Sequence, residues 1–415
     1  MSHTPGNSSN TWQRPLMVFW VTSFFALMGG SVLGPIYPFF LSTLGLKDPA
    51  EVNRWTGYMW AAVLFPTVIS MPFWGMIGDK FGHKKMVMRA MFGAGAMVFL
   101  TGIVTNIHQL LAVRIVHGCF GGFLMACQAY MSRITPRERV GHVFGVLQTA
   151  GLTAMTVGPV FGGVLVQYLG FTRMFIITGI VHWIAGLAVF FLIEPDKPEL
   201  GIRTPISFIK PLRSVLRSSK VRLMAGIRLL IDGTSALFFP LLPLFIQQVI
   251  GSATPDTTRI GFAYSVTGVA TIIGAALIGR LGDRTNHKWT LTTCVLACSL
   301  LYIAHGLLST FPQLVVIRFL TGFFSAGILP SVMAIVVMHT SSAERGVTIA
   351  TVSSLCSLGA AFTTFFGGIL VNAVGFRWVF YGVSASLFIA WIISTVFIKR
   401  EETFAHSAQQ AAGQE

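Results

Sequence analysis

Charge is what this sequence has least of. Only 10% of its 415 residues are Asp, Glu, Lys or Arg, against about 25% in an average soluble domain. So few charges cannot keep a soluble chain of this size dispersed, which excludes a soluble enzyme. With 53% hydrophobic residues and a mean hydropathy of +0.72, a disordered protein is excluded as well. Cysteine is scarce and odd in number: Cys119, Cys127, Cys294, Cys298 and Cys356 all lie in apolar runs. That excludes a disulfide scaffold, and the thiols read as small core residues. The sequence has no Walker phosphate loop, no H-E-x-x-H pair and no G-x-S-x-G elbow. No polar stretch is long enough for a soluble catalytic domain, so neither an enzyme nor a resident cofactor or metal is expected.

What is present is apolar sequence in repeated blocks. A bilayer core takes about 20 apolar residues per helix. Twelve runs qualify, near 15–43, 56–78, 87–106, 109–131, 141–167, 172–193, 221–249, 258–282, 289–309, 313–338, 347–372 and 376–398. The expected fold is therefore an all-α polytopic membrane protein with the lipid bilayer as its surroundings. The polar stretch before the first run lacks a cleavage site, so that run is not read as a removable signal peptide. Several prolines fall inside runs, among them Pro35, Pro38, Pro66, Pro72, Pro159, Pro240, Pro243 and Pro330. Membrane helices tolerate them because neighbours satisfy the freed backbone groups.

The formal charge of +15 comes from 29 basic against 14 acidic residues. The basic residues sit in short segments between apolar runs, which points to membrane topology rather than nucleic acid. Twenty-one lie on one side, in the segments that include Lys80, Lys84, Arg133, Lys210, Arg284 and Lys399. Five lie on the other side, Lys47, Arg54, Arg173, Arg259 and Arg377, and three fall within runs. This bias places both termini in the cytoplasm, the side an even number of spans requires them to share. Trp12, Trp20, Trp55 and Trp60 are expected to anchor helix ends at the interface.

The chain also repeats itself at an offset of 204–205 residues. Gly78, Asp79 and Lys80 recur as Gly282, Asp283 and Arg284; Arg114 and Gly118 as Arg318 and Gly322; Pro35 and Pro38 as Pro240 and Pro243. Phe161, Gly162 and Gly163 recur as Phe366, Gly367 and Gly368, and Gly170 as Gly375. The expected domains are a cytoplasmic segment 1–14, a six-helix bundle 15–193, a linker 194–220, a second bundle 221–398 and a tail 399–415. In the linker, Ile206, Phe208, Ile209, Leu212, Val215 and Leu216 recur among basic residues, as in an amphipathic helix on the membrane surface. Two similar halves suit a machine that opens a central site to either side in turn.

Three segments resemble motifs of the major facilitator superfamily. Gly75, Gly78, Asp79, Lys80, Gly82, His83, Lys84 and Lys85, between the second and third runs, resemble its motif A. Leu110, Arg114, His117 and Gly118 resemble motif B. Gly158, Pro159, Gly162 and Gly163 resemble motif C, the antiporter motif of the twelve-span drug:proton exporters. The resemblance covers nearly the whole chain. His83 and His117 replace the commoner Arg and Gln of the motifs, and Thr363 and Thr364 stand where the second half would repeat Gly158 and Pro159.

The resemblance implies two pseudo-symmetric bundles and alternating access. It implies a cytoplasmic latch at Gly75, Asp79, Lys80, Gly82 and Lys84, with Asp283 and Arg284 as its second-half copy. Asp79 at the end of its helix would meet a basic residue or a helix N-terminus, where a carboxylate gains about 0.3–1 kcal/mol. Gly158 and Gly162 give a smooth strip for a neighbouring backbone, and Pro159 is expected to kink its helix. The implied function is proton-driven export of small amphiphilic molecules, as in multidrug efflux and antibiotic resistance. The implied setting is a bacterial inner membrane, with the proton gradient as energy source and the protein acting as a monomer. The alternative of the same fold is a dedicated metabolite or siderophore exporter. An uptake symporter and a non-transporting membrane protein are the remaining readings, the first opposed by motif C and the second by the charges within spans.

Those charges are the sharpest signals. A charge in mid-bilayer costs at least about 2.5–3.5 kcal/mol on insertion scales, so it faces a cavity or a partner. Arg114 and His117 are three residues apart on one helix face, Arg228 and Asp232 four apart on another, and Arg318 echoes Arg114. Asp232 is the one carboxylate deep in a run. Either it exchanges the coupling proton or it forms a fixed structural pair with Arg228. For His117 the alternatives are a proton site and a hydrogen-bonded interior imidazole. His182 and His305 are expected to be interior imidazoles only.

Overall fold

The computed structural model describes residues 12–196, 217–252, 254–284, 286–340 and 345–397, and every regular element among them is helical. That is the expected outcome where lipid offers no partner to a backbone N–H or C=O. The helices are α1 (Gln13–Leu33), α2 (Tyr37–Thr43), α3 (Pro49–Phe81), α4 (His83–Thr101), α5 (Ile107–Cys119), α6 (Phe123–Ile134) and α7 (Val140–Leu192). After the linker come α8 (Ser219–Phe238), α9 (Leu242–Ile250), α10 (Thr257–Arg284), α11 (His287–Gly306), α12 (Phe311–Ser325), α13 (Ile328–Met338) and α14 (Arg345–Phe397).

The helices make twelve crossings. Helices α7 and α14 each hold 53 residues, roughly 80 Å at 1.5 Å per residue and enough for two crossings of a 30 Å core. Each reverses at a glycine whose dihedrals no helix contains: Gly170 (φ 76°, ψ 169°) and Gly375 (φ 80°, ψ 162°). These are matched residues of the repeat. Four other crossings are broken pairs. Helices α1 and α2 part around Pro35, and α8 and α9 part around Pro240 with a bend of 50°. Helices α5 and α6 part at Gly122 (φ +92°), and α12 and α13 part at Gly327. Helical dihedrals run on through Pro159, and the non-helical residue of α7 is Gly170, between the expected runs 141–167 and 172–193.

The described chain forms two compact units. The first holds 12–36, 43–45 and 62–196, and the second 37–42, 46–61 and 217–397. The N-terminal part of α3 belongs to the second unit. There Asn53 Nδ2 donates to Asn372 Oδ1 at 2.8 Å, Asn372 Nδ2 donates to Ala50 O at 2.7 Å, and Tyr58 stacks on Phe365. The core of the first unit includes Phe19, Met91, Cys127, Met131 and Leu147, and that of the second Ile227, Leu291, Val295, Val332 and Leu387. Large apolar side chains such as Tyr168, Ile184, Phe191 and Trp378 point outward, as lipid allows. Two expectations change. Trp12 is buried in the first core rather than anchoring an interface, and Cys119 is exposed at the α5–α6 break. The amphipathic part of the linker and the tail lie outside the described residues.

Candidate functional site

Motif A closes a polar network at one end of the first unit. Asp79, at the end of α3, lies 3.3 Å from Arg133 Nη2 on α6 and 3.5 Å from His83 Nε2. A second carboxylate completes the network. Asp196, just past α7, accepts from the backbone N–H of His83 at 2.7 Å and of Lys84 at 2.9 Å, and pairs with Arg133 Nη1 at 3.3 Å. Of the two partners expected for Asp79, the basic residue is therefore found, and Asp196 takes the helix N-terminus. Gly82 makes this possible: its φ is +95°, and a Cβ there would stand 2.9 Å from Asp196 Oδ1. Lys84 Nζ donates to Phe190 O, and Lys80 lies over the Phe81 ring. Gly75 faces open space, and Gly78 leaves room for the His83 ring. The side chains of Asp283 and Arg284 lie outside the described residues. The sequence marks Asp196 only as part of a polar linker, and Arg133 only as one of many basic residues.

Motif C packs α7 against α1. A Cβ on Gly158 would stand 2.8 Å from Ser31 Cβ, and one on Gly162 would stand 2.7 Å from Val32 O. Pro159 and Gly163 are buried beside them. In the second unit the matched Gly367 meets Leu237 O in the same way, at 2.5 Å. Gly158 becomes Thr363, and the missing side chain moves to the opposite helix, where a Cβ on Gly233 would stand 3.3 Å from the Thr363 methyl. Thr364, in place of Pro159, donates its hydroxyl to Ala236 O at 3.0 Å.

The glycines of motif B serve the same end. A Cβ on Gly118 would run into Val63 O, and one on Gly322 into Thr267 O. Thr67 and Thr271 donate to the carbonyls of Gly118 and Gly322 at 3.0 and 3.2 Å. At the α5–α6 break, Trp74 Nε1 and Arg89 both donate to Cys119 O, and Arg89 also donates to Gly121 O and stacks on Trp74 at 3.8 Å. At the α12–α13 break, Ile278 and Cys294 fill the space against Gly327 instead.

The structure divides the five intramembrane residues between the units. Arg228 and Asp232, one turn apart on α8, form an ion pair at 3.0 Å. Arg228 also donates to Ser353 Oγ at 2.9 Å, and its side chain is 14% exposed, so it is held inside rather than reaching for the interface. Asp232 is 35% exposed, and both residues line a cavity of 160 Å³ with Ser235, Tyr302, Thr321 and Ser325. That space suits a few waters at about 30 Å³ each, well below the roughly 300 Å³ of a small-molecule pocket. Arg318 is buried deeper, 5.8 Å over the Tyr264 ring, with its Nε lacking a hydrogen-bond partner. In the first unit Arg114 is buried, and His117 lines an apolar cavity of 400 Å³ together with His182. His182 meets two backbone carbonyls, as expected of an interior imidazole, and His305 meets the carbonyl of Leu301. Among the described residues no cluster of three or more His, Cys, Asp or Glu is placed to hold a metal.

A family model described as Major Facilitator Superfamily matches residues 19–253 and 224–414. Multidrug resistance protein MdtG of Proteus mirabilis (strain HI4320) is 28% identical over 388 residues, which is 94% of this chain and 96% of that protein. The protein of the same name from Salmonella choleraesuis (strain SC-B67) is 28% identical over 383 residues, covering 91% and 93%. Among solved structures, a bacterial homolog of the human lysosomal transporter Spinster aligns with a TM-score of 0.78 at 13% identity, covering 95% of this chain and 98% of that one. The nucleoside transporter NupG aligns with a TM-score of 0.78 at 12% identity, covering 93% and 100%. At these identities the two structures share the fold alone.

Proposed function

This chain belongs to the major facilitator superfamily, and on that premise we propose that it is a secondary active exporter that moves small amphiphilic molecules outward in exchange for protons. It is a transporter by family, and its relatives are named for multidrug resistance. The observation that carries the proton reading is the Arg228–Asp232 pair, a carboxylate one turn from its cation, on a cavity sized for water inside a span. A carboxylate in lipid is costly unless it is paired or used. One that is both paired and wetted can release its partner when it takes a proton. Motif C and the Asp79–Arg133–Asp196 network fit an exchanger whose two units rock, the network holding one end of the first unit together.

The protein works in this reading as a monomer in a bacterial inner membrane, with both termini in the cytoplasm and no cofactor but the proton gradient. Reporter fusions after about residue 85 should report cytoplasm, and fusions near Ser252 the outside. A periplasmic signal at residue 85 contradicts the orientation.

The test of coupling is transport in proteoliposomes containing a pH-sensitive dye and given a proton gradient. Wild-type protein should concentrate ethidium, a lipophilic cation, and dissipate the gradient as it does so. Asp232→Asn keeps the shape and hydrogen bonding of the carboxyl but cannot cycle a proton. It should still bind ethidium and fail to concentrate it. Wild-type accumulation by folded Asp232→Asn protein contradicts this role.

A further inference from the structure

The 400 Å³ cavity of the first unit is walled by apolar groups, among them Leu27, Val63, Met91 and Phe120, with two imidazoles set into it. His117 Nδ1 is buried and has no hydrogen-bond partner. His182, 3% exposed, sits where Gly29 of α1 leaves space for its ring and Gly95 of α4 for its Cβ. Its Nδ1 lies 2.8 Å from Thr178 O, and its Nε2 lies 3.2 Å from Ala26 O on α1.

That last arrangement constrains the chemistry. A neutral imidazole carries one N–H and presents a lone pair at its other nitrogen. Whichever tautomer forms, one of the two carbonyl oxygens then faces a lone pair. Only the imidazolium donates to both. On α5, His117 is the titratable group that interacts with His182, and Arg114 is the charged group that interacts with His117. Helices α1, α3, α4 and α6 contribute only uncharged residues to the cavity. Two cationic imidazoles next to a guanidinium would repel one another, so the pair has room for one proton and not two.

We propose that this cavity is a proton-binding site in which His182, with His117 beside it, holds one exchangeable proton. The step is proton uptake alone: the free lone pair of His182 gains a proton, the ring becomes cationic, and the new N–H donates to the carbonyl it had faced. Loss of the proton reverses this and leaves one of the two carbonyls, Thr178 O or Ala26 O, facing a lone pair. The site's part in transport rests on the proton-driven reading above; its ability to take up a proton does not.

The test is nitrogen-15 NMR of the full-length protein, labelled at histidine and reconstituted in lipid vesicles, from pH 8 to pH 5. Protonated and bare ring nitrogens have well-separated resonances. Wild-type protein should show one water-protected imidazole gaining its second N–H across this range. That signal should vanish in both His182→Gln and His182→Asn, and its midpoint should shift in His117→Gln. Should the His182 variants misfold, the signal is assigned by elimination, because His182's persists in His83→Gln, His117→Gln and His305→Gln, the variants of the other buried imidazoles. A protected imidazole that keeps one neutral tautomer from pH 8 to pH 5 overturns the proposal. Uphill ethidium transport by the same vesicles reports separately on proton-driven export. Its absence would defeat that reading while leaving the titration to decide this one.

Discussion

The two halves of this chain hold the same backbone together by opposite means. In the first, the helix opened by Gly82 receives no cap from that residue, and Asp196 arrives from beyond α7 to supply one. In the second, the matched position is Asn286, which accepts from Lys288 N at 2.8 Å with its own side chain. In the first, Gly158 lies on the motif C helix opposite Ser31 and Met28; in the second, Thr363 lies there and Gly233 stands opposite. The broken crossing of the first half is clasped by Trp74 and Arg89, and that of the second is filled by Ile278 and Cys294. Close approach of backbones is what the repeat preserves, and which side supplies the gap is free to change. The cap from Asn286 is local to α11, whereas the remote cap ties α4 to α6 and the end of α7 through Arg133.

The largest effect should come where the halves agree. Gly162→Leu and Gly367→Leu each push a side chain into a carbonyl of the facing helix, and overpacking of this kind costs about 1–3 kcal/mol or more. Both should lower the yield of folded protein and the thermal midpoint by similar amounts. A tolerant Gly367 would break the equivalence.

Next comes the exchanged pair. Gly158→Thr should destabilise, and adding Met28→Gly, the arrangement of the second half, should restore part of the loss, the contact with Ser31 Cβ remaining. The coupling in a double-mutant cycle should fall at about 0.5–3 kcal/mol. Additive losses would mean that the two positions do not share the gap.

The caps follow. Asp196→Ala should cost more than Asn286→Ala, for which loss of a cap implies about 0.5–2 kcal/mol. The difference is the Arg133 pair, and it should shrink in a background of Arg133→Gln. Denaturation in a common detergent measures all three. Smallest are Thr67→Val and Thr271→Val. Each removes one hydroxyl-to-carbonyl bond between crossings, a class of contact that averages about 0.6 kcal/mol in membranes. Matched small losses sharpen the symmetry.

Much of this was legible in the residues. The repeat matched Gly170 with Gly375 between expected runs, where the structure reverses the chain, whereas the prolines were read as tolerated within runs, and only those near 35 and 240 coincide with broken crossings. The breaks after α5 and α12 were not announced, because Gly122 and Gly327 resemble the many packing glycines around them. Arg228 and Asp232 were legible because one helical turn separates them. Asp196 was not, because its partners are backbone N–H groups over a hundred residues away, and no side-chain pattern records them. His182 was passed over for a related reason. Its distinguishing feature is a second carbonyl, on α1, that only the fold brings near.

The measurement that bears most directly on the function is uphill ethidium transport by the double variant Arg228→Gln with Asp232→Asn. Removing both members avoids leaving a buried charge unpaired, which is what makes single changes at such pairs destabilising. If Asp232 carries the proton, the double variant folds, binds ethidium and does not concentrate it against a gradient. If it regains proton-driven accumulation, the pair is structural and the assignment of coupling to Asp232 is wrong.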